Sequence, residues 1–211
     1  MEYDYLNILK KYNINYLYHF TNIYNLSSIL KHGIMNRWCM DLNNIKYSCT
    51  DSKRYDMQLN CISLSLSCTN KLMFYYKQKT ISSEWVVFEL DAKKIISDFY
   101  NKIFYCKYNA SSNSVINLLK NNKDYLKTIN AFNNIFDNLG KPNDQAELLL
   151  QGNIDIQYIN KIYVDNLQIK LMVEQMLIMY NIAQEHRHTD VCVLRHIHLS
   201  MYCKNINTHT L

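Results

Sequence analysis

Three glycines and one proline in 211 residues leave this chain almost without the punctuation on which several nucleotide-binding motifs depend. A G-x-G-x-x-G fingerprint needs three closely spaced glycines, whereas Gly33, Gly140 and Gly152 stand far apart, so a doubly wound dinucleotide-binding fold loses its support. There is no G-K-[ST] phosphate loop and no H-E-x-x-H zinc helix. The seven cysteines, Cys39, Cys49, Cys61, Cys68, Cys106, Cys192 and Cys203, form no C-x-x-C pair, and their odd number argues against a closed disulfide framework and for reduced thiols in a cytosol. No run approaches the roughly 20 apolar residues that span a bilayer. The opening Met-Glu-Tyr-Asp-Tyr lacks the basic and apolar regions of a secretory leader, so a cytoplasmic protein is expected.

What remains is a globular composition, 48% hydrophobic and 19% charged, of a length that fits one domain over residues 1–211. The net charge of +5 is spread in pairs such as Lys10-Lys11, Lys53-Arg54 and Lys93-Lys94, which permits a nucleic-acid partner without demanding one. Residues 3–12 predict a short helix and Tyr16 to Phe20 a strand. Thr21 or Asn22 then caps an amphipathic helix bearing Ile23, Leu26, Ile29 and Leu30, with Gly33 as its stop. Cys61 to Ser67 alternates Ile62, Leu64 and Leu66 with Ser63, Ser65 and Ser67, the period of a strand buried on one side. Trp85 to Leu90 predicts a second strand. Helices are expected over 111–121, 123–136 and 167–182, with a strand at 146–150 after an Asn-rich loop around 133–143. The sum is an α+β domain.

Two histidine pairs, His186 with His188 and His196 with His198, would each share a face if extended, but no third ligand stands at a suggestive spacing and no metal site is expected. Three other segments carry chemistry. His19, between a strand and a capped helix start, suits a ribose hydroxyl, and helix-start N–H groups suit an anionic ligand. Arg54, ahead of the serine-lined strand, is a planar bidentate donor for a pyrophosphate, and the run Met73-Phe74-Tyr75-Tyr76 offers aromatic faces for stacking. In Asp144-Gln145-Ala146-Glu147-Leu148-Leu149-Leu150 a carboxylate enters an apolar strand, which is costly without a partner or a task. The competing bland readings are a buried histidine satisfied by backbone, a surface arginine and an edge-strand glutamate facing solvent.

Taken in order, H-F-T-x-I-x-N-L-x-x-I-L-x-x-G-I, then R-Y-D with I-S-L-S-x-S, then N-x-x-M-F-Y, then Q-A-E-L-L with I-x-x-x-Y-I resemble the DarT family of DNA ADP-ribosyltransferase toxins over residues 16–164. The resemblance implies an ADP-ribosyltransferase-like split antiparallel sheet with flanking helices and NAD+ as co-substrate in its cleft. It points to Glu147 as the catalytic glutamate and Arg54 as the catalytic arginine near the NAD+ phosphates. It places His19 at the nicotinamide-side ribose, Thr21 and Asn22 beside the nicotinamide, Ser65 on the cofactor-binding strand, and Tyr75 or Tyr76 as the stacking aromatic.

By the same resemblance the product is a mono-ADP-ribosylated base, thymine or guanine, in single-stranded DNA. The partner it implies is an antitoxin that removes ADP-ribose, of macrodomain type or equivalent, and the protein itself is expected to be a monomer. Breaking the N-glycosidic bond of NAD+ leaves an oxocarbenium-like sugar, so Glu147 supplies negative charge, and Glu147 or Arg54 helps remove the acceptor proton. The rival expectations are an ADP-ribosyltransferase acting on RNA or protein, an NAD-dependent RNA 2′-phosphotransferase, and a non-catalytic single-strand-binding module.

Overall fold

The computed structural model describes residues 2–49, 54–66, 85–164, 166–180 and 190–193. Its strands are β1 (Tyr16–Asn22), β2 (Cys61–Ser65), β3 (Trp85–Asp91), β4 (Ile103–Cys106), β5 (Glu147–Gln151), β6 (Ile159–Val164) and β7 (Asp190–Val193), joined in one sheet in the order β4-β5-β2-β1-β3-β6-β7. The first five pairings are antiparallel and the last, β6 with β7, is parallel, so the expected antiparallel sheet is mixed at one edge.

The joins are unequal. β1 pairs with β3 along its whole length, from Tyr16 with Asp91 to Asn22 with Trp85, and β2 pairs with β5 from Cys61 with Gln151 to Ser65 with Glu147. Between β1 and β2 the register holds at the one pair Tyr18 with Ser65. Beyond it the half-sheets β4-β5-β2 and β1-β3-β6-β7 part, and this is the split in the sheet.

Helices α1 (Glu2–Lys11), α2 (Leu26–His32), α3 (Arg37–Leu42), α4 (Ala92–Phe99), α5 (Asn113–Asn121), α6 (Ile129–Asn133) and α7 (Leu167–Met179) flank the sheet. One sheet face, carrying Leu17, Leu64, Phe88 and Leu148, forms the main core with apolar residues of α1, α2, α4, α6 and α7. On the other face Cys61, Phe104, Cys106 and Leu149 pack against Val115 and Leu119 of α5. Covered on both sides, β4 reads Ile-Phe-Tyr-Cys with every residue buried, and so shows none of the alternation that marks a half-buried strand.

Several boundaries differ from expectation for local reasons. β1 runs on to Asn22, whose Oδ1 accepts from Tyr24 N at 2.9 Å, so Asn22 rather than Thr21 caps the turn that leads into α2. The helix expected over 123–136 breaks at Thr128, which sits extended and accepts from Ala131 N through Oγ1 at 3.2 Å. A 3-10 turn at Tyr125–Lys127 lies before it and α6 after it. The expected helix at 111–121 begins at Asn113 under a Ser112 cap, and the expected strand at 146–150 falls at Glu147–Gln151. The five described cysteines are all free. His186, His188, His196, His198, Tyr75 and Tyr76 lie outside the described residues.

Gly33 ends α2 at φ 75°, as the sequence predicts, and then hands the chain to a two-way bridge. Ile34 N donates to Ile154 O at 2.8 Å and Ile154 N donates to Ile34 O at 2.9 Å. A methyl group on Gly33 would overlap the carbonyl oxygen of Ile154 in addition to straining the left-handed backbone. Gly33→Ala is therefore expected to lower stability by about 2 kcal/mol or more, read as a shift in the urea midpoint at constant m; an unchanged midpoint would show that this bridge is not required.

Candidate active site

Where the two half-sheets part lies a cavity of about 380 Å³, within the range of small-molecule sites. Residues 19–22 of β1 line it on one side, and β2 with Glu147 of β5 on the other. Loops carrying Tyr47, Arg54 and Asn109 close it.

Glu147 sits in register between Ser65 of β2 and Cys106 of β4, so it belongs to an interior strand and is buried, not an edge glutamate facing solvent. Its carboxylate is held from three sides. Asn109 Nδ2 donates to Oε1 at 2.9 Å, Ala110 N donates to Oε2 at 3.0 Å, and Ser63 Oγ donates to Oε2 at 3.3 Å. Burial pushes the carboxyl above the ordinary carboxylate range, and the negative charge of Asp56 adds to this. The hydrogen bonds from Ala110 and Ser63 and the charge of Arg54 oppose it without cancelling it.

Arg54 is locked rather than splayed at the surface. Its Nε donates to both carboxylate oxygens of Asp56, at 3.0 and 3.2 Å, and Nη1 donates to Cys61 O at 2.9 Å. Asp56 in turn accepts from Gln58 N at 2.9 Å. The remaining terminus, Nη2, is buried and has no hydrogen-bond partner. A buried guanidinium N–H without an acceptor is costly in a folded protein unless a ligand supplies one.

His19 spans the split. Its Nδ1 lies 3.0 Å from Ser63 O, and because a carbonyl only accepts, Nδ1 is the donor. The bond takes the place of ladder bonds that β1 and β2 no longer make. Just past β1, Asn25 at the end of the 3-10 turn Ile23–Asn25 acts as a clasp: its Nδ2 donates to Thr21 Oγ1 and to Ser48 O, both at 2.8 Å, and its Oδ1 accepts from Ser48 N at 2.7 Å. Thr21 and the strap around Tyr47 to Cys49 are thereby fixed to one another at the cavity wall.

The structure thus brings together His19, Thr21, Asn22, Arg54, Ser65 and Glu147 around one cavity. The Oδ1 of Asn22 accepts from Tyr24 N, and the serine that reaches the glutamate is Ser63, two register positions before Ser65. Asn109, Ala110, Asp56 and Asn25 were not expected from sequence. The i, i+2 spacing of Arg54 and Asp56 was a usable signal for one of them, but nothing local marks a loop that meets Glu147 from 37 residues away. Among the described residues no three His, Cys, Asp or Glu side chains converge on a possible metal position.

A family model described as ssDNA thymidine ADP-ribosyltransferase, DarT, matches residues 18–198, reaching beyond residue 164 where the quoted motifs end. No curated protein matches the chain. Among solved structures, Thermus sp. 2.9 DarT in complex with NAD+ is similar over 86% of this chain and 96% of that one, with 14% identity and a TM-score of 0.56. The same protein in complex with ADP-ribosylated ssDNA is similar over 87% and 95%, with 13% identity and a TM-score of 0.55. Thermosipho africanus DarTG in complex with ADP-ribose is similar over 85% of this chain with 18% identity and a TM-score of 0.53, and the chain spans 50% of that protein's length. At these identities the likeness carries the fold, an open mixed sheet with flanking helices.

The raised Glu147 carboxyl has a consequence for stability. An acid whose folded value lies above its unfolded one contributes stability that is full at low pH and is lost as pH rises through the folded value. Wild-type protein should lose stability relative to Glu147→Gln as pH climbs upward from the ordinary carboxylate range, measured as urea midpoints across a pH series. A difference that stays constant with pH would contradict the assignment of Glu147 as a desolvated acid.

Proposed function

This chain belongs to the family of ssDNA thymidine ADP-ribosyltransferases, DarT, and from that premise we propose that it transfers ADP-ribose from NAD+ to the thymine base of single-stranded DNA. The observation that carries the reading is the conjunction, in the wall of one cavity, of a buried carboxylate held by three donors and a guanidinium locked by three hydrogen bonds with Nη2 left over. The residues fit the co-substrate: the orphaned buried donor suits a diphosphate or base oxygen, the carboxylate suits a sugar that becomes cationic, and Nε2 of His19 suits a ribose hydroxyl.

NAD+ is the donor: its N-glycosidic bond breaks with nicotinamide leaving on the bonding pair, and the acceptor nitrogen of thymine bonds to the anomeric carbon as it gives up its proton. Glu147 holds the ribose 2′-hydroxyl and sets negative charge beside the anomeric carbon, where positive charge develops. Asn109 and the Ala110 N–H keep that carboxylate aimed, so it does not have to reorganise as charge builds. Arg54, paired with Asp56, steadies either the diphosphate or the base as it loses its proton. Glu147 is then the group that takes the proton from the acceptor nitrogen. Thr21 and Asn22 border the nicotinamide. A base is reachable only when unstacked, which selects single strands over duplex.

The reaction poisons the DNA of the cell that makes the enzyme, so the protein acts as the toxin of a pair. Its partner is an antitoxin that hydrolyses the ADP-ribose link, of macrodomain type or equivalent, and the setting is the cytoplasm with the enzyme as a monomer. Among the described residues no helix is long and apolar enough to cross a membrane.

The test incubates purified protein with labelled NAD+ and single-stranded oligonucleotides of differing base content. Label should enter thymine-containing strands, should resist ribonuclease and protease, and should fall about 100-fold or more in Glu147→Gln and in Arg54→Ala, the scale of removing a group that stabilises transition-state charge. Transfer to RNA or protein in preference to DNA, or undiminished transfer by Glu147→Gln, would overturn the reading.

A further inference from the structure

Two segments that contribute residues to the cavity wall also carry exposed apolar side chains. On α3, Trp38 and Leu42 stand one turn apart and are 55% and 66% exposed. On the adjoining loop, Tyr55 and Met57 are 67% and 77% exposed, and Leu59 is also exposed. The two segments are physically joined, since Trp38 N donates to Leu59 O at 3.1 Å.

Both segments are held rigidly. Asn36 caps α3 by accepting from Cys39 N at 2.9 Å, and its amide is tied to Gly152 O at 3.1 Å and to Asn153 Oδ1 at 3.0 Å. Met57 keeps a left-handed backbone, φ 55°, in a turn closed by its N–H to Arg54 O at 2.9 Å. That conformation is uncommon for a residue with a side chain, and it keeps an apolar group in water.

The patch is continuous with the active site. Arg37 and Met40 of the same α3, and Tyr55 of the same loop, line the cavity. Cations stand beside it: Arg37 adjoins Trp38 in sequence, and Lys123 reaches the loop, donating to Gln58 Oε1 at 3.1 Å, while the loop's own Asp56 is paired with Arg54. The acidic group on α3, Asp41, is engaged by the Tyr47 hydroxyl. Rigid aromatic and thioether surface with flanking cations, opening onto a base-modifying cavity, is what a single strand needs, with bases on π-faces and phosphates on cations.

Resting on the reading that DNA is the acceptor, we propose that Trp38, with Tyr55, Met57 and Leu59, forms a stacking platform for the nucleotides flanking the modified base, so that the strand enters the cavity across the α3 side. Trp38 supplies the largest face and lies outside the cavity lining, which makes it a binding residue for the strand rather than for NAD+.

The experiment compares wild type, Trp38→Ala and Trp38→Phe by fluorescence anisotropy with a labelled single-stranded dodecanucleotide, and by transfer kinetics on that acceptor and on a trinucleotide, with thermal melts to confirm folding. Trp38→Ala should raise the Kd and KM for the long strand about fivefold or more, the scale of losing one base–aromatic stack. Trp38→Phe should restore most of the loss, and the trinucleotide should be indifferent to both variants. Unchanged long-strand Kd in Trp38→Ala, with transfer intact, would overturn the platform while leaving the reaction standing. Trp38-dependent strand binding by a wild type that modifies no DNA would refute the acceptor assignment instead. Sedimentation showing a Trp38-dependent dimer whose strand binding ignores the substitution would reassign the patch to contact between copies of the chain.

Discussion

Everything at this site depends on the sheet failing to close between β1 and β2. A continuous ladder there would satisfy the backbone groups of both strands and leave no room for a ligand. Instead the two strands share the pair Tyr18 with Ser65, and the His19 ring reaches across to the Ser63 carbonyl where the ladder stops. Side chains replace main chain as the link between the half-sheets, and the resulting gap is a cavity floored by sheet rather than by mobile loop. Functional groups mounted on strands are held more tightly than groups on loops. His19, Ser63 and Glu147 each stand on a strand that has a full ladder on its far side.

The same opening explains the electrostatics. A glutamate on an interior strand would ordinarily be intolerable, because burial penalises its charged form. Here the loop after β4 brings the Asn109 amide and the Ala110 N–H to it, and β2 brings the Ser63 hydroxyl, so the carboxylate is satisfied while it stays oriented and perturbed. Arg54 follows the opposite logic. Asp56 and the Cys61 carbonyl fix its fork, and one terminus is left in a buried place with nothing to bond. A satisfied carboxylate and an unsatisfied guanidinium in one cavity describe a site organised for a ligand that brings its own negative charge.

Much of this was legible in the sequence. The strand beginning at Cys61, the histidine ahead of Asn22 and its capped turn, Gly33 as a helix stop and Glu147 at the head of an apolar strand are local signals that the structure bears out, although β2 is buried at four of its five residues rather than on one side only, because α5 covers its second face. What escaped is what the chain brings together only by folding. β4 is buried on both faces and shows no period, β6 keeps no clean alternation, and the parallel β7 depends on a partner fixed elsewhere. The long helix expected over 123–136 failed because Thr128 has a cap to make there, a competition between side chain and backbone that periodicity does not register. Asn109 and Asp56 are ordinary loop polars until the fold sets them against Glu147 and Arg54.

A crystal structure with a non-hydrolysable NAD+ analogue tests the split site most directly. The nicotinamide-side ribose should lie in the split between His19 and Glu147, with a ligand oxygen accepting from Arg54 Nη2. An analogue bound elsewhere on the molecule, with the split empty and Arg54 Nη2 still without an acceptor, would contradict it.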